Sequence, residues 1–101
     1  MNEYFTVADV SQVPADRGLP VRVGNRDFAI FKVGEDFFAI DGICPHKGAP
    51  LGQGFTDKER VYCPLHGWEF NVQTGACLDY PDKSLCAYPA RVENGKVQIL
   101  I

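Results

Sequence analysis

The chain has 101 residues, 46% of them hydrophobic and 12% aromatic, with a net charge of −3 and a pI of about 5.2. That length fits one domain, the acidic balance argues against nucleic acid as a partner, and no apolar run approaches the length that spans a bilayer. The N-terminus lacks a basic, apolar, small-residue leader, so the expectation is a single unit over residues 1–101, cytoplasmic, with no membrane and no nucleic acid among its partners.

In chain order, Tyr4-Phe5-Thr6-Val7 reads as a first strand. Thr6 and Asp9 resemble a capping box that starts at most one helical turn before Pro14. Leu19 to Val23 and Asp27 to Val33 are strands separated by Gly24-Asn25, and Gly34-Glu35-Asp36 closes a hairpin with Phe37 to Ile40. Gly48 to Gly54 holds three glycines and a proline and must be irregular, with Leu51 as its apolar anchor. Phe55 to Arg60 is polar and reads as a turn; Arg60-Val61-Tyr62 and Gly67 to Asn71 are short strands, the second turning at Gln73-Thr74-Gly75. Leu78 to Lys83 is a loop, and Leu85 to Glu93 pairs with Lys96 to Ile101 around Asn94-Gly95, a strong two-residue turn signal. No segment keeps a 3.6-residue period, so the class is all-β, an antiparallel sandwich or barrel.

Between these strands lie Cys44-Pro45-His46 and Cys63-Pro64-Leu65-His66, sixteen residues apart, holding the only two histidines of the chain. Each cysteine is followed by proline, and each histidine by a glycine one or two residues on. Two thiolates and two imidazoles, one of each from either loop, describe a metal site. A single zinc accepts Cys₂His₂, although zinc modules usually pair Cys with Cys and His with His along the chain. A [2Fe–2S] cluster with two cysteines on one iron and two histidines on the other needs each loop to reach both metals. The C-x-H and C-x₂-H separations let one tight turn do that. Four cysteines in a chain without a leader favour metal over a disulfide framework. A chain this short also buries only about two-thirds of its unfolded surface, so a metal staple would help it fold.

Cys44-x-His46 and Cys63-x₂-His66, with Pro45, Pro64 and Gly67 in place, resemble the signature of the Rieske [2Fe–2S] ferredoxin family, over a stretch from about Val21 to the C-terminus. The resemblance implies a Rieske-type fold. Its base sheets would span about 1–42 and 79–101. A small cluster-binding subdomain of two hairpin loops would span about 43–78. It implies one [2Fe–2S] cluster held by Cys44, His46, Cys63 and His66, with Leu51, Gly67, Trp68 and Pro81 around it, Pro81 in a covering loop. High-potential members carry a disulfide between the loops and hydroxyl donors after the second histidine. Ala49 and Leu65 stand where those cysteines would fall, and Trp68 and Phe70 where the donors would. A potential near the bottom of the family range, roughly −150 to +300 mV, is therefore expected. A pH-dependent potential is expected only at alkaline pH, through the ligated rings.

By the same resemblance the chain is a one-electron carrier, an electron-transfer component rather than a catalyst by itself. Its partners would be a flavin-containing reductase or a large catalytic subunit. The two loops, with Thr74-Gly75 and Tyr88-Pro89-Ala90-Arg91-Val92, look most like the small subunit of assimilatory NAD(P)H nitrite reductase. The alternative is a free ferredoxin feeding a ring-hydroxylating oxygenase, and the alternative of another class is a structural zinc module. Of the remaining candidates, Cys77 and Cys86 read as small apolar residues, Trp68 as core rather than conduit, and Lys47 as a solubilising charge. Glu69, Asp79 and Asp82 are either an acidic docking rim or an ordinary solvated face.

Overall fold

The computed structural model describes residues 3–44, 48, 50–64 and 67–101. Within them lie ten strands and three single-turn 3₁₀ segments, with no α-helix. The strands are β1 (Tyr4–Asp9), β2 (Leu19–Val23), β3 (Arg26–Val33), β4 (Asp36–Asp41), β5 (Phe55–Asp57), β6 (Arg60–Tyr62), β7 (Glu69–Asn71), β8 (Ala87–Tyr88), β9 (Ala90–Glu93) and β10 (Lys96–Leu100). They form three antiparallel sheets, ordered β1-β10-β9, β2-β3-β4-β8 and β5-β6-β7.

Strand β3 organises the interior. Phe28, Ala29, Ile30 and Phe31 form an unbroken apolar run, and all four are buried. A continuous run means cover on both faces of the sheet, and successive side chains point to opposite sides. Phe28 and Ile30 therefore pack with Val13, Ala39, Val97 and Ile99, joining this sheet to the β1-β10-β9 sheet. Ala29 and Phe31 pack the other way, with Ile40, Cys44, Leu51, Val61, Cys63, Phe70, Val72 and Cys77. The segment carrying both cysteine loops thus shares a core with the base instead of having one of its own.

Three local expectations are corrected. Thr6 lies inside β1, and the short turn Val10–Gln12 starts at Asp9, whose N–H donates to Gln12 Oε1 at 2.8 Å. Phe55–Asp57 is a strand, not a turn. It pairs with β6, its Thr56 N–H donates to Asp16 O at 3.2 Å, and the actual turn is Lys58-Glu59, with Lys58 at φ +57°. Pairing with two neighbours outweighs its polar composition. Leu85 to Glu93 is not one strand: it breaks at Pro89, which has no N–H for a ladder. Before the break β8 pairs with β4, and after it β9 pairs with β10. Asn94 and Gly95 turn that last hairpin with φ of +52° and +75°, as a primed two-residue turn requires.

Candidate metal centre

The first cysteine loop leaves the end of β4. Gly42 N–H donates to Asp27 O at 2.9 Å, Leu51 N–H donates to Gly42 O at 2.8 Å, and Ile43 bridges Pro50. These contacts cinch the base of the loop. Inside it, Gly48 N–H donates to Cys44 O at 2.9 Å. The second loop connects β6 to β7. Cys63 N–H donates to Trp68 O at 2.8 Å, and Gly67 N–H donates to Cys63 O at 2.9 Å.

Both turns therefore close the same way, with a glycine four residues past the cysteine donating back to the cysteine carbonyl. Gly48 and Gly67 adopt φ of +71° and +72°, a region open to glycine at little cost and to other residues only with strain. Counted from the histidines the two glycines look offset; counted from the cysteines they are equivalent.

The two turns deliver their cysteines to one place. Cys44 and Cys63 are buried and belong to the same packed cluster, with fully buried Leu51 and with Val61, Phe70 and Val72 around them. Buried cysteine is commonly an inert small hydrophobe. Here, though, each stands at the head of a glycine-closed turn, outside the strands. A pair of thiols so placed, each followed by a histidine in the sequence, is a donor set of the kind that holds metal. His46 and His66 lie outside the described residues, as do Pro45, Lys47, Ala49 and Leu65.

Gly67 and Trp68 make backbone contacts to Cys63, and Trp68 also packs on the shared cluster. Pro81 is exposed and opens a 3₁₀ turn, Pro81–Lys83. The loop around it is held as a small ring. Cys77 N–H donates to Ser84 Oγ at 2.9 Å, the Ser84 hydroxyl donates to Pro81 O at 2.8 Å, and Tyr80 N–H donates to Cys77 Sγ at 3.4 Å. It meets Trp68 of the second cysteine loop through Tyr80, whose ring lies 4.4 Å from that of Trp68, centroid to centroid. Sequence reading passed over Tyr80 and Ser84. The resemblance points to Pro81 in a covering loop, but nothing in Leu78 to Ser84 singles out Tyr80 as the side chain that makes the contact.

Cys77 is buried, Cys86 is exposed, and none of the four cysteines forms a disulfide. Of the three acidic residues, Glu69 pairs with Arg60 at 3.2 Å, and Asp79 Oδ2 accepts the Glu69 N–H at 2.8 Å. Both carboxylates are thereby engaged within the fold. No helix among the described residues is long and apolar enough to cross a membrane.

The model of the Rieske [2Fe–2S] domain matches residues 3–89. The ferredoxin component of a naphthalene 1,2-dioxygenase system from Pseudomonas aeruginosa is 32% identical over 98 residues, covering 96% of this chain and 94% of its own. The Sphingomonas yanoikuyae B1 ferredoxin superposes with a TM-score of 0.87 at 28% identity, covering 96% and 97%. A Mycobacterium tuberculosis structure that carries the provisional name of NADH-dependent nitrite reductase small subunit superposes with a TM-score of 0.88 at 26% identity, covering 100% and 96%.

Proposed function

The chain belongs to the Rieske [2Fe–2S] domain family and is an electron carrier with one such cluster; from that premise we propose that Cys44 and Cys63 ligate one iron and His46 and His66 the other. The observation that carries this is the shared burial of Cys44 and Cys63 at the heads of two identically closed turns. When bound, the cluster supplies reversible storage of one electron. The chain's own part is to hold two thiolates in a dry apolar cluster and to keep the loop backbones fixed through Gly48 and Gly67. The zinc reading is set aside, since family membership brings the iron–sulfur cluster.

The potential we propose is low. Phe70 is buried in the shared cluster and offers no hydroxyl, and no disulfide ties the loops. With two neutral imidazoles in the ligand set, and Trp68 and Phe70 in place of hydroxyl-bearing residues, we place the centre at the lower end of the family range. Residues 43–78 are proposed to carry the cluster and the rest of the single unit to form its base.

The proposed partner is the large subunit of an NAD(P)H nitrite reductase in the cytoplasm, supported by the loop sequences and by the full-length match to the mycobacterial structure. A second reading, a ferredoxin serving a ring-hydroxylating oxygenase, is favoured by the dioxygenase ferredoxins among the curated relatives. Visible and EPR spectra with a redox titration test the first part: a red-brown protein with a mixed-ligand signature and a low potential is expected, and a colourless protein would sink it. The partner is tested by mixing the reduced carrier with each acceptor. Oxidation by a nitrite reductase large subunit but not by an oxygenase supports the first reading, and the reverse overturns it.

A further inference from the structure

We infer that Asp41, held by Tyr88 and Arg26, is a positioning and charge-setting residue for the first cysteine loop, and that this trio tunes the potential of the centre without ligating it. The inference rests on the cluster reading above. Asp41 is the last residue of β4 and stands three positions before Cys44. Three residues span at most about 11 Å between their Cα atoms, so Asp41 places a fixed negative charge at the root of the first loop, on the face of the sheet that carries Phe28 and Tyr88.

Both oxygens of that carboxylate are engaged. Oδ1 accepts the Tyr88 hydroxyl at 2.6 Å, and Oδ2 accepts the Cys86 N–H at 3.0 Å. The Asp41 N–H in turn donates to Cys86 O at 3.0 Å. Tyr88 is fixed from the other side. Its ring meets Phe28 edge-on at 5.2 Å, its oxygen accepts from Arg26 Nη2 at 2.9 Å, and the guanidinium sits 4.9 Å from the Phe28 ring centre. Residues 47 apart in sequence thus clamp the point where β4 becomes the first loop. The charged or titratable groups facing the phenol are Asp41, Arg26 and Cys86. Burial, then the Asp41 carboxylate, pushes the phenol up to about 12, so it remains a donor throughout the working range.

A strand clamp alone would affect stability. A fixed carboxylate near an acceptor of electrons also affects reduction, because adding an electron there works against the negative charge. The two effects separate by sign. Asp41→Asn keeps the shape and deletes the charge, so reduction becomes easier. Tyr88→Phe keeps the ring and the charge but strips away the hydroxyl that offsets it, so reduction becomes harder.

The test is an equilibrium redox titration of the cluster-loaded protein and both variants, with thermal unfolding in parallel. Asp41→Asn is expected to raise the reduced-to-oxidised ratio at fixed potential about threefold to tenfold, tenfold being 59 mV for one electron. Tyr88→Phe is expected to lower it, and to have no further effect on the potential once Asp41 is Asn. Should Asp41→Asn not fold, Arg26→Gln at the exposed end of the trio must shift the ratio in the same direction as Tyr88→Phe, by less. Shifts of one sign in both variants, or altered unfolding with unchanged potentials, would overturn the inference. A wild-type protein without a cluster would instead overturn the reading on which it rests.

Discussion

The two cysteine loops share their local geometry and differ in what holds them. In each, a glycine at positive φ four residues past the cysteine returns its N–H to the cysteine carbonyl. The first loop then hangs from β4, a six-residue strand paired on both sides, by β3 and by β8. The second hangs from β6 and β7, three residues each, and leans on the 77–84 loop through the tilted Trp68–Tyr80 ring contact and the Leu78 N–H to Glu69 O bond of 2.9 Å. Equal turns therefore sit on unequal foundations. The turn is written locally; the foundation is tertiary.

The largest expected effect treats the loops as equal. Cys44→Ser and Cys63→Ser should each abolish cluster binding, read as loss of iron and of visible colour, because under the proposed ligation either change leaves one metal a thiolate short. Survival of a full cluster in one variant alone would show that the two turns do not carry equivalent donors. Leu51→Ala comes next. Leu51 is fully buried in the cluster that holds both cysteines, so it should cost about 2–5 kcal/mol in urea unfolding and speed iron loss to a chelator.

Gly48→Ala and Gly67→Ala sharpen the comparison further. Each places a Cβ at a positive φ, a strain of roughly 1–2 kcal/mol, and among the described residues no atom crowds either site within 4 Å. The backbone cost is therefore alike. Any difference in their unfolding midpoints or cluster retention measures the foundation rather than the turn. Tyr80→Ala acts on one loop only. It removes the ring tilted against Trp68, a contribution of about 0.5–1.5 kcal/mol, and should raise amide exchange in the 63–68 turn while leaving the 44–48 turn unchanged.

Much of this was readable in the sequence, and the reasons are physical. The glycine-closed cysteine turns and the Asn94-Gly95 turn are short-range features, decided within a few residues of themselves. The apolar run Phe28 to Phe31 announces a strand, but nothing in it says that its two faces serve two cores. Phe55 to Asp57 looks like a turn because its strand character comes from Tyr62 and Asp16, which are distant in the chain. Pro89 marks a break without telling which sheets lie on either side. Asp41, Tyr88 and Arg26 stand on three different strands, and their meeting exists only once β3, β4 and β8 are in register.

The smallest expected effect concerns that meeting, and so the foundation of the first loop alone. The folded protein holds the Tyr88 proton up to about 12 against an ordinary 10.0, through burial first and the Asp41 carboxylate second. The folded state thus binds this proton more tightly than the unfolded state. By linkage its contribution is complete below about pH 10, declines as the pH rises from 10 towards 12, and is gone above that. The phenol is only partly buried, so solvent screening keeps the contribution small. Urea unfolding at about pH 8 and about pH 11 should show the wild type losing more stability than Tyr88→Phe over the interval, since phenylalanine has no proton to lose. Amide exchange should then place the extra loosening where β4 hands over to Cys44, with the 63–68 turn unaffected. Equal losses in both proteins would mean that the Tyr88–Asp41 contact does not underpin the first loop.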